Sequence, residues 1–354
     1  MYKRQAKHEG GDFLLRIEDT DQERKVEGAV DVIYKTLKEC GLNWDEGPDI
    51  GGDFGPYVQS ERLPMYKGYA EDLIKLGGAH YCFCSEEEIE AQRKEAESLG
   101  ISFKFNDPCK HLSAEEVQAK LDAGEPYVIR QTIKDVGETY FDDEVYGRIE
   151  VDGDVLDEQI LIKSDGYPTY NFANIIDDHQ MQISHVVRGN EYLSSTPKYN
   201  LIYDAYGWQR PTYVHVPPVM KDEHHKLSKR NGDASFQDLV AKGYLPDAIM
   251  NYIALLGWAP ETEQEIYTLD ELIKVFNIHR ISKAPAIFDI DKLTWMNGVY
   301  LRNMDEETYY ETVRPYLEKA VHGPYNLKEI AKIIQPRIDI LNQIEESVDF
   351  FDTL

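Results

Sequence analysis

The apolar run Phe13-Leu14-Leu15-Arg16-Ile17 is short and suits a parallel strand buried in a sheet. Acids follow at once, in Glu18-Asp19-Thr20-Asp21, and then a helical stripe of Val26, Val30, Ile33 and Leu37, stopped by Gly41. A strand whose far end is charged and feeds a helix belongs to an open α/β sheet, where ligands bind beyond the carboxyl ends of the strands. Comparable apolar runs return at Ile160-Leu161-Ile162 and from Ile183 to Val187. Between roughly residues 80 and 155 the texture changes. A charged helix runs from Glu86 to Ser98, a capping box Ser113-x-x-Glu116 opens a helix closing at Gly124, and a β-rich stretch runs from Tyr127 to Ile133. The pattern predicts a split doubly wound domain interrupted by an α+β insertion.

Two further helices punctuate this domain. One carries Met65, Tyr69, Leu73 and Leu76 and ends at Gly77-Gly78; the other begins after Ser195-Thr196-Pro197, with proline in its first turn. From Ser235 onward the chain reads helical, over Ser235-x-x-Asp238, Pro246 to Leu256 and Leu269 to Phe276. Glu306 to Leu354 reads as amphipathic helix without a terminating signal.

With 354 residues, 42% of them hydrophobic, the chain has enough apolar surface for two or three domains. No apolar run reaches the roughly 18 residues of a membrane-spanning helix, and Met1-Tyr2-Lys3-Arg4-Gln5 has no apolar region behind it. A cytoplasmic location is expected. The net charge of −27 argues against broad polyanion binding but leaves room for a local basic face. The four cysteines, Cys40, Cys82, Cys84 and Cys109, read as reduced thiols, Cys40 as a packed small hydrophobe.

Several constellations carry chemistry, each with a plain alternative. Lys226-Leu227-Ser228-Lys229-Arg230 sets two ammonium groups three residues apart in a loop with Gly232, suited to charge building on a departing pyrophosphate. A solvated turn is the bland reading. Of the acids after the first strand, one is expected to cap the next helix and one to hold a substrate ammonium. Tyr170 and Asn174 are four apart and share a helical face, as pocket lining or as packed tyrosine and surface asparagine. His179, beside Asp177 and Asp178, reads as a hydrogen-bonded structural histidine. Arg188 ends another strand, and its planar fork suits bidentate capture of a carboxylate; an ion pair with Asp177 or Asp178 is the rival. Cys82-x-Cys84 with Cys109-x-His111 offers three thiolates and an imidazole, a tetrahedral zinc set.

Taken in order, the segments FLLRIEDTD (13–21), LNWDEGPDIGGDFGPYVQSERLPMY (42–66), ILIKSDGYPTYNFANIIDDH (160–179), HVVRGNEYLSSTPKY (185–199), KLSKRNGDASF (226–236), NYIALLGWAP (251–260) and FDIDKLTWMNGVY (288–300) closely resemble the bacterial glutamyl-tRNA synthetases, class I aminoacyl-tRNA synthetases. The resemblance implies an α/β fold with a split Rossmann-like catalytic domain (1–78 and 158–234) and an acceptor-binding insertion (79–157). A stem-contact region (235–303) and the start of an all-α anticodon-binding domain (304–354) would follow. It implies ATP-dependent activation of L-glutamate to glutamyl-adenylate, with magnesium, and transfer to the 3′ end of tRNA(Glu) by a monomer without membrane attachment.

Residue by residue, the resemblance implies that Glu18 receives the substrate amino group and that Tyr170, Asn174 and Arg188 complete the glutamate pocket. Lys226 and Lys229 would be catalytic, ATP meeting Glu191, Lys226, Ser228 and Lys229. Cys82, Cys84, Cys109 and His111 match the zinc site some members carry, Phe105 standing where certain relatives offer a tyrosine. Arg337 falls in the anticodon-reading part. The family's opening strand, its Arg-x-Ala-Pro-Ser-Pro-Thr-Gly segment and its His-Ile-Gly-His helix start have no counterpart before Ala6. The expectation is therefore a piece of a longer enzyme, truncated at both ends. Its alternatives are a glutamyl-queuosine-tRNA synthetase and a catalytically incomplete module that holds zinc and tRNA.

Overall fold

A computed structural model of the chain describes residues 6–20, 28–134, 137–227 and 235–351. Two compact units emerge, one formed by Leu14–Glu27 and Trp44–His215, the other by Met1–Phe13, Gly28–Asn43 and Val216–Leu354.

The first unit contains two sheets. Strands β1 (Ala79–Cys82), β2 (Val128–Gln131) and β5 (Ile160–Ile162) form an antiparallel sheet in the order β1-β2-β5. Strands β3 (Glu138–Asp143), β4 (Gly147–Asp152), β6 (His185–Gly189) and β7 (Thr212–Val216) form a mixed one, ordered β4-β3-β7-β6. There β3 pairs antiparallel with β4 and parallel with β7, through Asp143 and Tyr213. Helices Leu63–Lys75, Tyr170–Gln180 and Thr196–Tyr206 supply Tyr66, Ala70, Leu73, Phe172, Ile176, Tyr199 and Ile202 to a core shared with Ile129 and Leu161. The class is α/β, as expected, with one antiparallel and one mixed sheet.

Local signals behave as capping chemistry dictates. Ser85 and Ser113 each accept the backbone N–H three residues on and are bonded back by Glu88 and Glu116, which fixes the starts of Glu86–Ser98 and Ala114–Asp122. The helix Leu63–Lys75 buries Tyr66, Ala70 and Leu73, whereas Leu76, expected on its inner face, lies past its end and is exposed. The run around Leu15 pairs in parallel as expected, but only through isolated bridges, Leu14 to Glu46 and Ile17 to Val58. Its partner segment leaves the sheet between these points in a turn closed by Gly47 and Gly51, so no continuous ladder forms.

In the second unit, Ala29–Glu39 is helical and Gly41, at φ +66°, follows its end, yet none of the helix's residues is buried. The expected Val30/Ile33 stripe is thus exposed, and Val26 lies outside the described residues. Helices Phe236–Ala241, Pro246–Leu255 and Leu269–Val275 follow the sequence signals, Ser235 capping the first and Thr268 with Glu271 boxing the third, and a further helix, Ile290–Asn303, comes after them. The segment from Glu306 onward is not one helix. It divides into Glu306–Ala320, Leu327–Ile334 and Ile344–Val348, because Gly323-Pro324 and Pro336 interrupt the ladder and Asp305 and Asn326 cap new starts. Tyr309, Val313, Leu317, Ile330, Ile334, Ile338, Ile344 and Val348 pack together between them.

Gly243 joins these helices. Its φ is +91°, its carbonyl accepts the Leu341 N–H at 3.0 Å, and a Cβ added there would lie 2.7 Å from the Asn342 nitrogen. Gly243→Ala combines left-handed strain with a backbone collision, and should cost about 2–4 kcal/mol. Urea unfolding should show a lower midpoint at unchanged slope.

Candidate active site

Arg188 comes from β6 and meets the neighbouring β7 and the first turn of Thr196–Tyr206. Its Nε donates to His215 Nε2 at 3.0 Å and its Nη2 to Thr196 Oγ1 at 2.6 Å. The rings of Tyr192, Tyr199 and Tyr213 surround the guanidinium, with centroids 5.0, 5.0 and 5.5 Å from Cζ. No carboxylate among the described residues pairs with it. Behind it, His215 and Asp143 are buried; Asp143 accepts His215 Nδ1 at 2.6 Å and the backbone N–H groups of His215, Val145 and Tyr146. Burial alone would raise the Asp143 pKa, but the His215 bond and these N–H groups together hold it below its ordinary value.

The rival partners of Arg188 are engaged elsewhere. Asp177, fully buried, accepts from Gln59 Nε2 at 2.9 Å, Arg62 Nε at 2.8 Å and the Tyr66 hydroxyl at 2.9 Å. Asp178 pairs with Arg16 Nη1 at 3.1 Å. Arg16 in turn donates from Nη2 to Glu18 at 3.1 Å, so the arginine of this bridged segment aims the acid two residues on. Nothing in the spacing singled Arg16 out, because its role appears only when Tyr170–Gln180 brings Asp177 and Asp178 beside it. Burial pushes the Asp178 carboxyl up to about 6, Asp177 and Glu18 adding to the rise while Arg16 holds it back.

Tyr170 links the two ends of this region. Burial raises its pKa, the Glu18 charge acting the same way and the Asn174 side chain, one helical turn on, acting against it. Its ring centroid is 6.2 Å from that of Tyr192, which faces Arg188. Glu18, Tyr170, Asn174 and Arg188 therefore line one neighbourhood with a carboxylate at one end and an uncompensated guanidinium at the other. Asn174 is buried rather than at the surface.

The remaining sequence candidates have settings of their own. Asp19 does cap, but caps a neighbouring turn, accepting the Ser60 N–H at 2.8 Å and hydroxyl at 2.7 Å; Asp21 lies outside the described residues. His179 is held by stacking instead of hydrogen bonding, its ring 3.6 Å from that of Trp208 and 4° from coplanar. Glu191 is exposed in the turn Asn190–Tyr192, and Arg337 is exposed in Gln335–Arg337. Lys226 is exposed and bridges Met220, while Ser228 and Lys229 lie outside the described residues.

The cysteine cluster forms on β1 and the turn Pro108–His111. Ligand atoms of Cys82, Cys84, Asp107 and Cys109 lie within 4.8 Å of one another. Asp107 caps that turn through the Cys109 N–H at 2.8 Å and reaches the Cys84 thiol at 3.7 Å; the turn leaves His111 exposed and outside the group. The only cue to Asp107 in the sequence was a carboxylate two residues before Cys109. Burial pushes the Cys82 thiol up to about 11 and raises Cys84 further, so a cation is what would hold them as thiolates. Three sulfurs and one carboxylate oxygen fit a tetrahedral metal. Nearby, a cavity of about 520 Å³ is lined by Arg93, Lys104, Lys110, Arg130 and Lys134 with Phe103 and Phe105, a local basic face in an acidic chain, tempered by Asp154, Asp157 and Glu158. Among the described residues, no helix is long and apolar enough to cross a membrane.

Asp178 gives this region a pH signature. Its folded pKa is raised, so its contribution to stability is fully present below its unfolded value of about 4 and is lost as pH climbs through about 6. Wild type should lose roughly 1–3 kcal/mol relative to Asp178→Asn between pH 4 and 7, read from urea melts of both at each pH. A constant difference would exclude the burial-driven shift.

Comparisons with known proteins point one way. The family described as "tRNA synthetases class I (E and Q), catalytic domain" matches residues 3–295. The glutamate–tRNA ligase of Clostridium tetani is 58% identical over 349 residues, covering 99% of this chain and 72% of that protein. That of Clostridium acetobutylicum is 57% identical over 350 residues, with the same coverage. Among solved structures, a glutamate tRNA ligase from Elizabethkingia meningosepticum in complex with its amino acid superposes at TM-score 0.93 with 35% identity, over 99% of this chain and 75% of that one. The glutamate-tRNA synthetase of Elizabethkingia anophelis does so at 0.91 with 36% identity, over 99% and 76%. With its fold and most of its sequence matched in register, the chain belongs to the class I tRNA synthetases of the glutamyl and glutaminyl family.

Proposed function

We propose that the chain is a glutamate–tRNA ligase, activating L-glutamate with ATP and passing it to tRNA(Glu). The observation that carries this reading is the Arg188 guanidinium, collared by three tyrosines and bonded only to neutral acceptors. A half-buried guanidinium without an acid partner is poorly compensated, and a substrate carboxylate is the natural relief. Glu18, aimed by Arg16, takes the substrate ammonium; Tyr170 and Asn174 line the wall between.

The α-carboxylate of glutamate attacks the α-phosphorus of ATP, pyrophosphate leaves, and glutamyl-adenylate forms. The terminal ribose hydroxyl of the tRNA then attacks the acyl carbon and AMP leaves. Neither step needs a protein nucleophile, so the protein acts by positioning and charge neutralisation. Lys226 and Lys229 are assigned to the departing pyrophosphate, Ser228 and Glu191 to the rest of ATP. Magnesium, bound with ATP, would supply further neutralisation on the phosphates. Glutamine is rejected because its amide would leave the Arg188 charge unanswered.

In the same reading, 1–78 and 158–234 form the catalytic domain, 79–157 receives the acceptor end beside the basic cavity, 235–303 contacts the stem, and 304–354, with Arg337, begins the anticodon-reading part. The enzyme acts in the cytoplasm as a monomer. One structural zinc is assigned to Cys82, Cys84, Cys109 and Asp107, the carboxylate taking the place the spacing had given to His111.

ATP–pyrophosphate exchange dependent on L-glutamate, with tRNA present, tests the activity. Arg188→Ala should raise the KM for glutamate by roughly 30-fold or more while leaving that for ATP within about twofold, a buried charged hydrogen-bond pair being worth about 2–3 kcal/mol. Equal effects on both substrates would remove Arg188 from the amino-acid site. For the metal, elemental analysis should find one zinc per chain in wild type and His111→Ala, and a large loss in Asp107→Ala. The reverse pattern would return the fourth position to His111.

A further inference from the structure

A buried histidine behind the arginine has no place in the chemistry above. His215 is fully buried on β7, and both of its ring nitrogens are committed. An arginine Nε–H can only donate, so Nε2 of His215 is the acceptor in the bond to Arg188. The ring's one proton is then on Nδ1 and is donated to Asp143 at 2.6 Å. Asp143 is itself pinned by three backbone N–H groups, two of them from the turn after β3, so it cannot swing away. The second neutral acceptor, Thr196 Oγ1, accepts from Arg188 and passes its own proton to the Tyr192 carbonyl at 2.8 Å.

We propose that His215, its tautomer set by Asp143, and Thr196 are positioning residues that make Arg188 selective for a carboxylate. Resting on the glutamate-pocket reading above, the inference adds the source of selectivity. The two acceptors use one edge of the guanidinium and leave Nη1, with the second Nη2 proton, as a parallel donor pair for the substrate. Both are uncharged, so they fix the fork without neutralising it. An acid in the place of His215 would orient Arg188 equally well but would satisfy its charge, and a neutral amide side chain would then be tolerated. Selectivity for glutamate over glutamine therefore depends on a neutral acceptor at 215 as much as on the cation at 188.

Two substitutions separate orientation from mere bulk. In His215→Asn the amide can keep the Asp143 bond but cannot reach Arg188; in His215→Gln the longer side chain restores an acceptor near the position of Nε2. Glutamate- and glutamine-dependent ATP–pyrophosphate exchange would be measured on the whole chain with tRNA, alongside circular dichroism and thermal melting. His215→Asn should raise the KM for glutamate roughly 10- to 100-fold and shrink the glutamate-to-glutamine preference by a similar factor, with the KM for ATP unmoved, and His215→Gln should recover much of both. Equal behaviour of the two folded variants, or loss of kcat at unchanged glutamate KM, would overturn the relay. Should His215→Asn melt below the assay temperature, Thr196→Val carries the same comparison, and an unchanged glutamate KM and preference in it would overturn the proposal equally. Absence of glutamate-dependent exchange in wild type would instead strike the parent reading, and the relay with it.

Discussion

Asp177 is the carboxylate on which the first unit's architecture depends. It is buried on Tyr170–Gln180 and gathers Gln59 and Arg62 from one turn, Tyr66 from the next helix, and, at 3.6 Å, Arg16 from the bridged segment around Leu15. Four chain segments that share no continuous ladder are thereby fixed to one point. Taking such a charge from water is tolerable only because each lone pair finds a donor, and removing one partner of a buried ionic group typically costs about 3–5 kcal/mol. The candidate-site residues inherit their positions from it: Arg16 is oriented toward Glu18, and the helix that carries Asp177 also carries Tyr170 and Asn174.

Two arginines in this region have opposite electrostatic fates. Arg16 is saturated by Asp177, Asp178 and Glu18, and its charge is spent within the protein. Arg188 has neutral partners and aromatic walls. A sequence reading sees only two arginines at two strand ends, each with acids a plausible distance away. What distinguishes them is which strand the DDH segment packs against, a tertiary fact that the Arg-x-Glu and Arg-x-x-Glu spacings do not contain.

Much of the fold was legible where local chemistry decides. Ser113 and Ser235 announced helix starts that the structure keeps, because a side-chain oxygen capping an N–H three residues on is a short-range event. Legibility failed where distant packing decides. The single helix read from Glu306 onward breaks at Pro324 and Pro336, and the stripe on Ala29–Glu39 stays exposed although its period was right. In the candidate site, Glu18, Tyr170, Asn174 and Arg188 were visible through motif order. Arg16, Asp143 and His215 were not, since their significance lies in contacts spanning up to 162 residues. Asp107 was missed for a subtler reason: metal spacings direct attention to sulfur and imidazole, and a turn-capping aspartate looks structural.

The tyrosine collar has a consequence for substitution at 188. A lysine would preserve the positive charge, yet one ammonium on a flexible stem cannot engage His215, engage Thr196 and still present two coplanar donors outward. Charge conservation would thus be no protection: drift at this position is confined by the shape of the cation, and the neighbouring strand can change only in step with it.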